Sequence, residues 1–409
     1  MNGPQAGFER RVQGALEATP SRIPVILGGC GTGRTAMLQR LRERMGRGSV
    51  QYLDVERSAS TPERFLAAVT SSSPFASHDH RTAANAREAF DMTMAFMSHA
   101  SAPGGAPATF LLDEVLELRT FESFPGLRHV LRDLFDALAT SNNRFVLTSR
   151  YVARAHKLLR DATARFEVMH VLPLTAGEVT DLLAPTFNGY DQVPAAERDD
   201  LSRTIEALSN GRASYTAAIG EATARMTGTS DAVGALAALL SPGGELDRAC
   251  RFCYELRLHR ARGYGALKAI LDILAAEEPL TLTEISLRLK RTPGSTKDYL
   301  SWLEDVDLVS SSHKKYSFTD PLLRLWVRLH CRAVPPPPED VAREVQKYAL
   351  GRLQLVAPAV APPSPVPAES GGAAPAPAIT NSGSPELAYA GVEAGASDER
   401  KGWGIIEID

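Results

Sequence analysis

A compact apolar run, Ile23–Leu27, passes directly into Gly28, Gly29, Cys30, Gly31, Thr32, Gly33, Arg34 and Thr35, and then into the helix-forming stretch MLQRLRERM. This order constrains the chain more than any other feature. Glycines let a backbone curl until successive N–H groups point at one spot, and a helix opening near Thr35 adds its positive end there. The ligand such a turn suits is a phosphate. The spacing is that of GxxxxGK[ST], met at every fixed position except that Arg34 stands in place of lysine. Arginine keeps the charge but is bulkier and forked, so it reaches β- and γ-phosphates less well than a lysine point charge. Nucleotide binding is therefore expected, and fast turnover is not. The hydroxyl of Thr35 is the expected Mg²⁺ ligand, with Ala36 beside it in the first helical turn. The plain alternative is a tight strand-to-helix connection that binds nothing. It fits less well, because a second motif follows.

That motif is Phe110, Leu111, Leu112, Asp113, Glu114, an apolar strand ending in two acids. If its C-terminal end lies beside the glycine turn, Asp113 holds the metal's shell and Glu114 polarises the attacking water. A third strand, FVLTSR, ends in Ser149 and Arg150. On a parallel sheet such ends converge on one crevice, so this pair is read as a γ-phosphate sensor, the alternative being that Arg150 pairs with a surface carboxylate. The expected site is thus Glu114, Arg34 and Arg150 for catalysis, Gly28 through Ala36 for the nucleotide, and Thr35 with Asp113 for the metal.

Strands at 50–55, 109–112, 145–148 and 167–172 alternate with helices at 81–99 and 127–139, after a leading helix at 8–18. This predicts an α/β domain, a parallel sheet flanked by helices, over residues 1–172. At LPLTAGE the texture changes. Thr175 and Glu178 have capping-box spacing, and residues 173–262 read as a helical lid without strands. Residues 263–332 give helices at 264–276, 282–289 and 296–305 and a hairpin over 308–318, the winged-helix order. Capping boxes are expected at Thr281 with Glu284 and at Ser295 with Asp298. From 333 to 409 a short helix, 339–355, precedes an Ala/Pro/Ser/Gly tract expected to be disordered, then the apolar terminus KGWGIIEID.

At GGCGTGRT, FLLDE, FVLTSR, LPLTAGE and YSFTDPLLRLWVRLH the chain resembles the STAND/AAA+ P-loop ATPases, particularly archaeal-type ATPases with a C-terminal winged helix. The resemblance implies a P-loop sheet with an additional strand, Mg-ATP as ligand, and closing of lid on sheet with nucleotide. Two departures stand out: Arg34 in the loop, and Ala213 where Gly211 to Tyr215 would otherwise match the family's glycine-x-proline segment near adenine. Such proteins act as switches in regulation, defence or assembly; a nucleotide-dependent switch that engages a protein partner is the leading reading for this chain, and nucleotide-dependent homo-oligomers are among the expected assemblies.

Charge narrows the partners. Lys plus Arg number 45 against 48 Asp plus Glu, a net charge of −3, which is no general footprint of a polyanion binder. Over 263–320 there are seven basic and nine acidic residues. The local positives are Arg288, Lys290, Arg291 and the hairpin tip His313, Lys314, Lys315. DNA binding through the winged helix is thus the alternative reading, and a solvated tip on a domain packed against the ATPase core is favoured. The terminus KGWGIIEID on its long tether reads equally as a docking peptide for a protein partner or as a frayed end. No apolar run reaches the roughly 18 residues a membrane span needs, and no signal-peptide core opens the chain. Four cysteines are too few for a disulfide framework, so a cytoplasmic protein is expected. The pair Cys250 and Cys253 reads as two half-buried helix residues, since one CxxC cannot complete a zinc site.

Overall fold

Each of the first five strands reads as alternating or continuous apolar residues, and the computed structural model shows why. It describes residues 4–75, 81–160, 162–186, 194–226, 231–259, 263–332 and 334–356. The tract 357–409, with KGWGIIEID, lies outside the described residues. Strands β1 (Ile23–Leu27), β2 (Val50–Asp54), β3 (Thr109–Asp113), β4 (Arg144–Ser149) and β5 (Phe166–His170) pair in parallel in the order β2-β3-β4-β1-β5. The additional strand β4 separates β1 from β3, as the resemblance implied.

Side chains leave a strand alternately on its two faces, so one sheet feeds two cores. Ile26, Leu111, Val146 and Met169 meet Val12, Leu16, Leu38 and Leu41 on one face. Val25, Leu27, Phe110, Leu112, Phe145 and Leu147 meet Phe65, Phe90, Met94 and Leu134 on the other. Register puts Phe110 opposite Phe145, and their rings stack at 5.6 Å. All the strand C-termini consequently emerge on one edge.

The leading helix is Pro4–Glu17 and the helix after the glycine turn is Arg34–Met45. The helix expected at 81–99 starts at Ala86, where Asn85 caps it by accepting from Glu88 N–H. A helix at Pro62–Ser71, capped by Thr61, went unread in the sequence. After β5 the described residues form helices Ala176–Leu183, Ala195–Ser209, Ala213–Arg225, Ala232–Leu240 and Glu245–Leu258. Thr175 and Glu178 form the expected capping box on the first.

Beyond them come helices Tyr264–Ala276, Leu282–Leu289 and Pro293–Asp305, then Pro321–His330. Strands β6 (Leu280–Thr281), β7 (Val309–Ser312) and β8 (Lys315–Phe318) make a small antiparallel sheet ordered β6-β8-β7. Thr281 and Glu284 form their capping box. The box expected at Ser295 is corrected: Pro293 is pre-set for a first helical turn, so the helix opens earlier and Thr292 caps it, accepting from Ser295 N–H. The helix expected at 339–355 is Pro338–Val356. It packs back on Ala195–Ser209, with Tyr348 Oη donating to Leu208 O at 2.9 Å. No helix among the described residues is long and apolar enough to cross a membrane.

Phe110 is fully buried at the middle of the sheet, touching Phe75, Phe96 and Phe145. Phe110→Ala is expected to cost about 3–5 kcal/mol. Urea denaturation should register this as a lower midpoint, and an unchanged midpoint would contradict the packing described.

Candidate functional site: the glycine-rich loop and its acidic strand

Gly31 and Gly33 sit at φ +77° and +89°, conformations L side chains rarely adopt, so the turn can curl as the sequence suggested. Its carbonyls are held on the outside. Arg34, 7% exposed, folds back so that Nη1 donates to Gly28 O and Gly29 O. Arg212 Nη1 donates to Cys30 O, and Ser214 N–H donates to Gly31 O at 2.9 Å. Apart from Thr32 N–H, which closes a turn toward Gly29 O, the peptide N–H groups from Gly29 to Arg34 donate to no backbone acceptor among the described residues. A run of buried or half-buried amides without partners is costly unless an anion or water receives it. The cradle fits a phosphate chain.

The acidic strand end lies beside it. Thr35 Oγ1 donates to Asp113 Oδ2 at 2.6 Å, and Tyr52 Oη donates to the same oxygen at 2.9 Å. Thr148 Oγ1 donates to Asp113 Oδ1 and accepts from Glu114 N–H at 3.0 Å. Thr35 and Asp113 can thus share one cation. Among the described residues there is no group of three or more His, Cys, Asp or Glu able to hold a metal, so a cation here would draw remaining ligands from phosphate oxygens and water, as Mg²⁺ does.

Glu114 is 6% exposed and held at φ 59°, a left-handed conformation that costs an L residue about 1–2 kcal/mol. Strain of this kind persists only where surroundings dictate it. Here two guanidinium groups do. Arg34 Nη2 donates to Oε1, while Oε2 accepts from Arg150 N–H at 2.9 Å and lies 3.1 Å from Arg150 Nε. Burial pushes this carboxyl up, but Arg34 and Arg150 outweigh it and hold the acid below its ordinary range.

The third motif is brought to the same crevice with a different division of labour. Ser149 Oγ accepts from Tyr151 N–H and so caps a local turn. Thr148, one residue earlier, is the side chain that reaches the Asp113 carboxylate. Arg150 pairs with Glu114 and also with Glu56, itself partly exposed, so both expected kinds of partner are present. Ala36 stands exposed in the first helical turn.

No family model matches the chain, and no curated protein matches it. Among solved structures it is similar to a Walker-type ATPase of Pyrococcus abyssi, with a TM-score of 0.54 and 16% identity, covering 79% of this chain and 95% of that one. It is also similar to the ORC1 protein of Aeropyrum pernix, solved in complex with DNA, at TM-score 0.42 and 16% identity, covering 85% and 94%. The chain has the fold of a Walker-type P-loop ATPase.

Several residues around this P-loop carried no motif. Arg212 precedes helix Ala213–Arg225, pairs with Asp320 at 3.4 Å and donates to Thr319 O. Asp320 in turn accepts from Tyr215 Oη at 3.0 Å. Arg257 donates from Nη1 to Asp307 O at 3.0 Å and from Nη2 to Cys30 Sγ at 3.2 Å. The P-loop is therefore tied through two arginines to the segment around Asp307 and Asp320, more than two hundred residues away in the chain. The sequence signals were faint: Gly211 is the single glycine in the turn before helix Ala213–Arg225, where a Cβ would come within 2.7 Å of Leu174 O.

The Asp307 carboxylate accepts from Ala153 N–H at 3.3 Å, and burial raises its pKa to about 6. Unfolded, the group titrates near 3.9. Between pH of about 4 and 6 the folded state holds a proton that the unfolded state releases, so this group makes stability fall as pH rises through that window. Asp307→Asn is expected to flatten that slope in denaturation midpoints measured at stepped pH. An unaltered slope would place the titration elsewhere.

Proposed function

We propose that the chain binds Mg-ATP at the P-loop, hydrolyses it slowly, and serves as a nucleotide-dependent switch of the STAND/AAA+ kind that engages a protein partner. In this reading residues 1–172 are the ATPase domain, 173–262 the lid, 263–332 a winged-helix domain and 333–409 the tail. The observation that carries it is the set of amides of Gly29, Cys30, Gly31, Gly33 and Arg34, none given to a backbone acceptor among the described residues, beside the Thr35–Asp113 pair.

Bound Mg-ATP would supply the electrophilic γ-phosphoryl group and a cation to offset its charge. The chain's own residues account for the rest. Loop amides bind and orient the phosphates, and Thr35 Oγ1 with the Asp113 carboxylate holds the metal. Tyr52 and Thr148 fix Asp113 by a hydrogen bond to each oxygen. Glu114 is the base that would take the water's proton, yet in this conformation both of its oxygens are occupied by guanidinium groups. Turnover therefore waits on Arg34 leaving Glu114 for phosphate. Arg150 stays within reach of the γ-position as its sensor.

The switch reading is supported by the ties between the P-loop and the Asp307 to Asp320 segment, because phosphate that recruits Arg34 competes inside the same network. Protein is favoured over DNA as the partner. Asp305, at the end of the helix that would read a major groove, pairs with Lys157 of the ATPase domain. The DNA alternative rests on the exposed tip formed by Lys314 and Lys315. Duplex binding that weakens with salt and with K314A/K315A would favour it. Protein contacts are assigned to the winged helix or the tail, and nucleotide-dependent self-association belongs to the same reading.

The full chain titrated with Mg-ATP should bind, and Thr35→Ala or Asp113→Asn should remove the magnesium dependence. Glu114→Gln should keep affinity while turnover falls about 10²–10⁴-fold. Arg34→Lys should raise turnover roughly tenfold, since a hydrogen bond to a charged group is worth about 1.5–3 kcal/mol and lysine cannot span both loop carbonyls and Glu114. Absence of magnesium-dependent ATP affinity in the unaltered chain would end the proposal.

A further inference from the structure

Cys30 lies in the middle of the P-loop, where the motif places no demand on its side chain. Its thiol does not face open space. Helix Glu245–Leu258 crosses the loop there and presents Cys253 and Arg257, one turn apart and so on one face. Arg257 Nη2 reaches Cys30 Sγ at 3.2 Å, and the Cys253 thiol donates a hydrogen bond to the same sulfur.

Arg257 is 4% exposed, and its guanidinium forms no ion pair with a carboxylate among the described residues. Its Nε has no hydrogen-bond partner. A buried cation requires a counter-charge. Cys30 sulfur lies against it at 3.2 Å and the Asp307 carboxylate acts on it from farther off, while Arg150 and Arg34 add positive charge from the P-loop side. The Cys253 hydrogen bond and these arginines overcome burial and hold the Cys30 thiol well below its ordinary range, whereas Cys253 is held above its own. The two sulfurs are thus pushed in opposite directions, Cys30 toward the thiolate and Cys253 toward the thiol, the pairing a nucleophile and a resolving cysteine require. Cys30 keeps 9% of its residue surface and Cys253 is half-buried.

We infer that Cys30 and Cys253 form a peroxide-oxidisable pair whose disulfide staples the P-loop to helix Glu245–Leu258. The Cys30 thiolate attacks hydrogen peroxide. An S–O bond forms and the O–O bond breaks, leaving sulfenic acid and hydroxide. The Cys253 sulfur then attacks Cys30 sulfur; the S–S bond forms, the S–O bond breaks, and the thiol proton leaves with the hydroxyl as water. The effect on nucleotide rests on the P-loop reading above. A crosslink at the centre of the cradle would hold loop and helix together and reduce affinity for Mg-ATP until a dithiol reverses it.

The test uses the full chain, treated with hydrogen peroxide, alkylated with N-ethylmaleimide and digested without reductant. Mass spectrometry should find the Cys30 and Cys253 peptides joined, with two hydrogens lost, and the link should survive Cys250→Ser. In Cys253→Ser, dimedone should label Cys30. Alkylation of both thiols after peroxide, a Cys250–Cys253 link in place of this one, or no dimedone on Cys30 would each overturn the assignment. Oxidised protein should bind Mg-ATP at least several-fold more weakly, with recovery in dithiothreitol. Equal affinity in both forms would overturn the regulatory consequence. If the reduced chain does not bind Mg-ATP at all, the P-loop reading fails while the peptide result still judges the thiol pair.

Discussion

One guanidinium organises this site. Arg34 turns back under the glycine loop and holds the carbonyls of Gly28 and Gly29 with one nitrogen and Glu114 with the other. A planar fork can do this, and a single ammonium cannot reach three acceptors in those directions. The consequence runs outward. Carbonyls fixed on the outside of the curl leave the amides turned to the inside, and a glutamate fixed by two arginines sits in a strained backbone conformation with its charge satisfied. The feature that looked like a weakened P-loop is what gives the loop its shape.

The outer side of the loop is as fully used as the inner side is open. Ser214 N–H and Arg212 take the carbonyls of Gly31 and Cys30, and Arg257 takes the Cys30 sulfur. Each of these groups has a second partner in the segment from Asp307 to Asp320, or a neighbour that does. Buried polar networks of this kind rigidify when complete and are expensive when broken in part. A change at the glycine loop therefore has a short physical route to the segment from Asp307 to Asp320, through two buried arginines and not through a chain of apolar contacts.

Much of the frame was legible in the sequence because it follows from local rules. The five strands of the parallel sheet announce themselves as short apolar runs, and their ends shifted by at most two residues. Thr175 with Glu178 and Thr281 with Glu284 capped helices as their spacing required. The Ser295 box failed because a proline two residues earlier could open the helix sooner, a competition that spacing does not rank. Asp113, Thr35 and Glu114 lie together, as expected, because a parallel sheet delivers every strand end to one edge. Thr148 was passed over for Ser149 because alternation fixes which side chain faces the acids only once register is known.

By itself the sequence determined the α/β sheet, the glycine curl, and the nearness of the acidic strand end to that curl, all consequences of period, propensity and parallel topology. Tertiary structure alone decided what Arg34, Arg150, Arg212 and Arg257 do. A long cationic side chain has no periodic signature, and its partner is set by which carboxylate, carbonyl or sulfur the fold brings within about 3 Å. The two cysteines show the difference most plainly: Cys253 reads as a helix residue and Cys30 as part of the nucleotide loop, and only packing of one helix across the loop makes them neighbours.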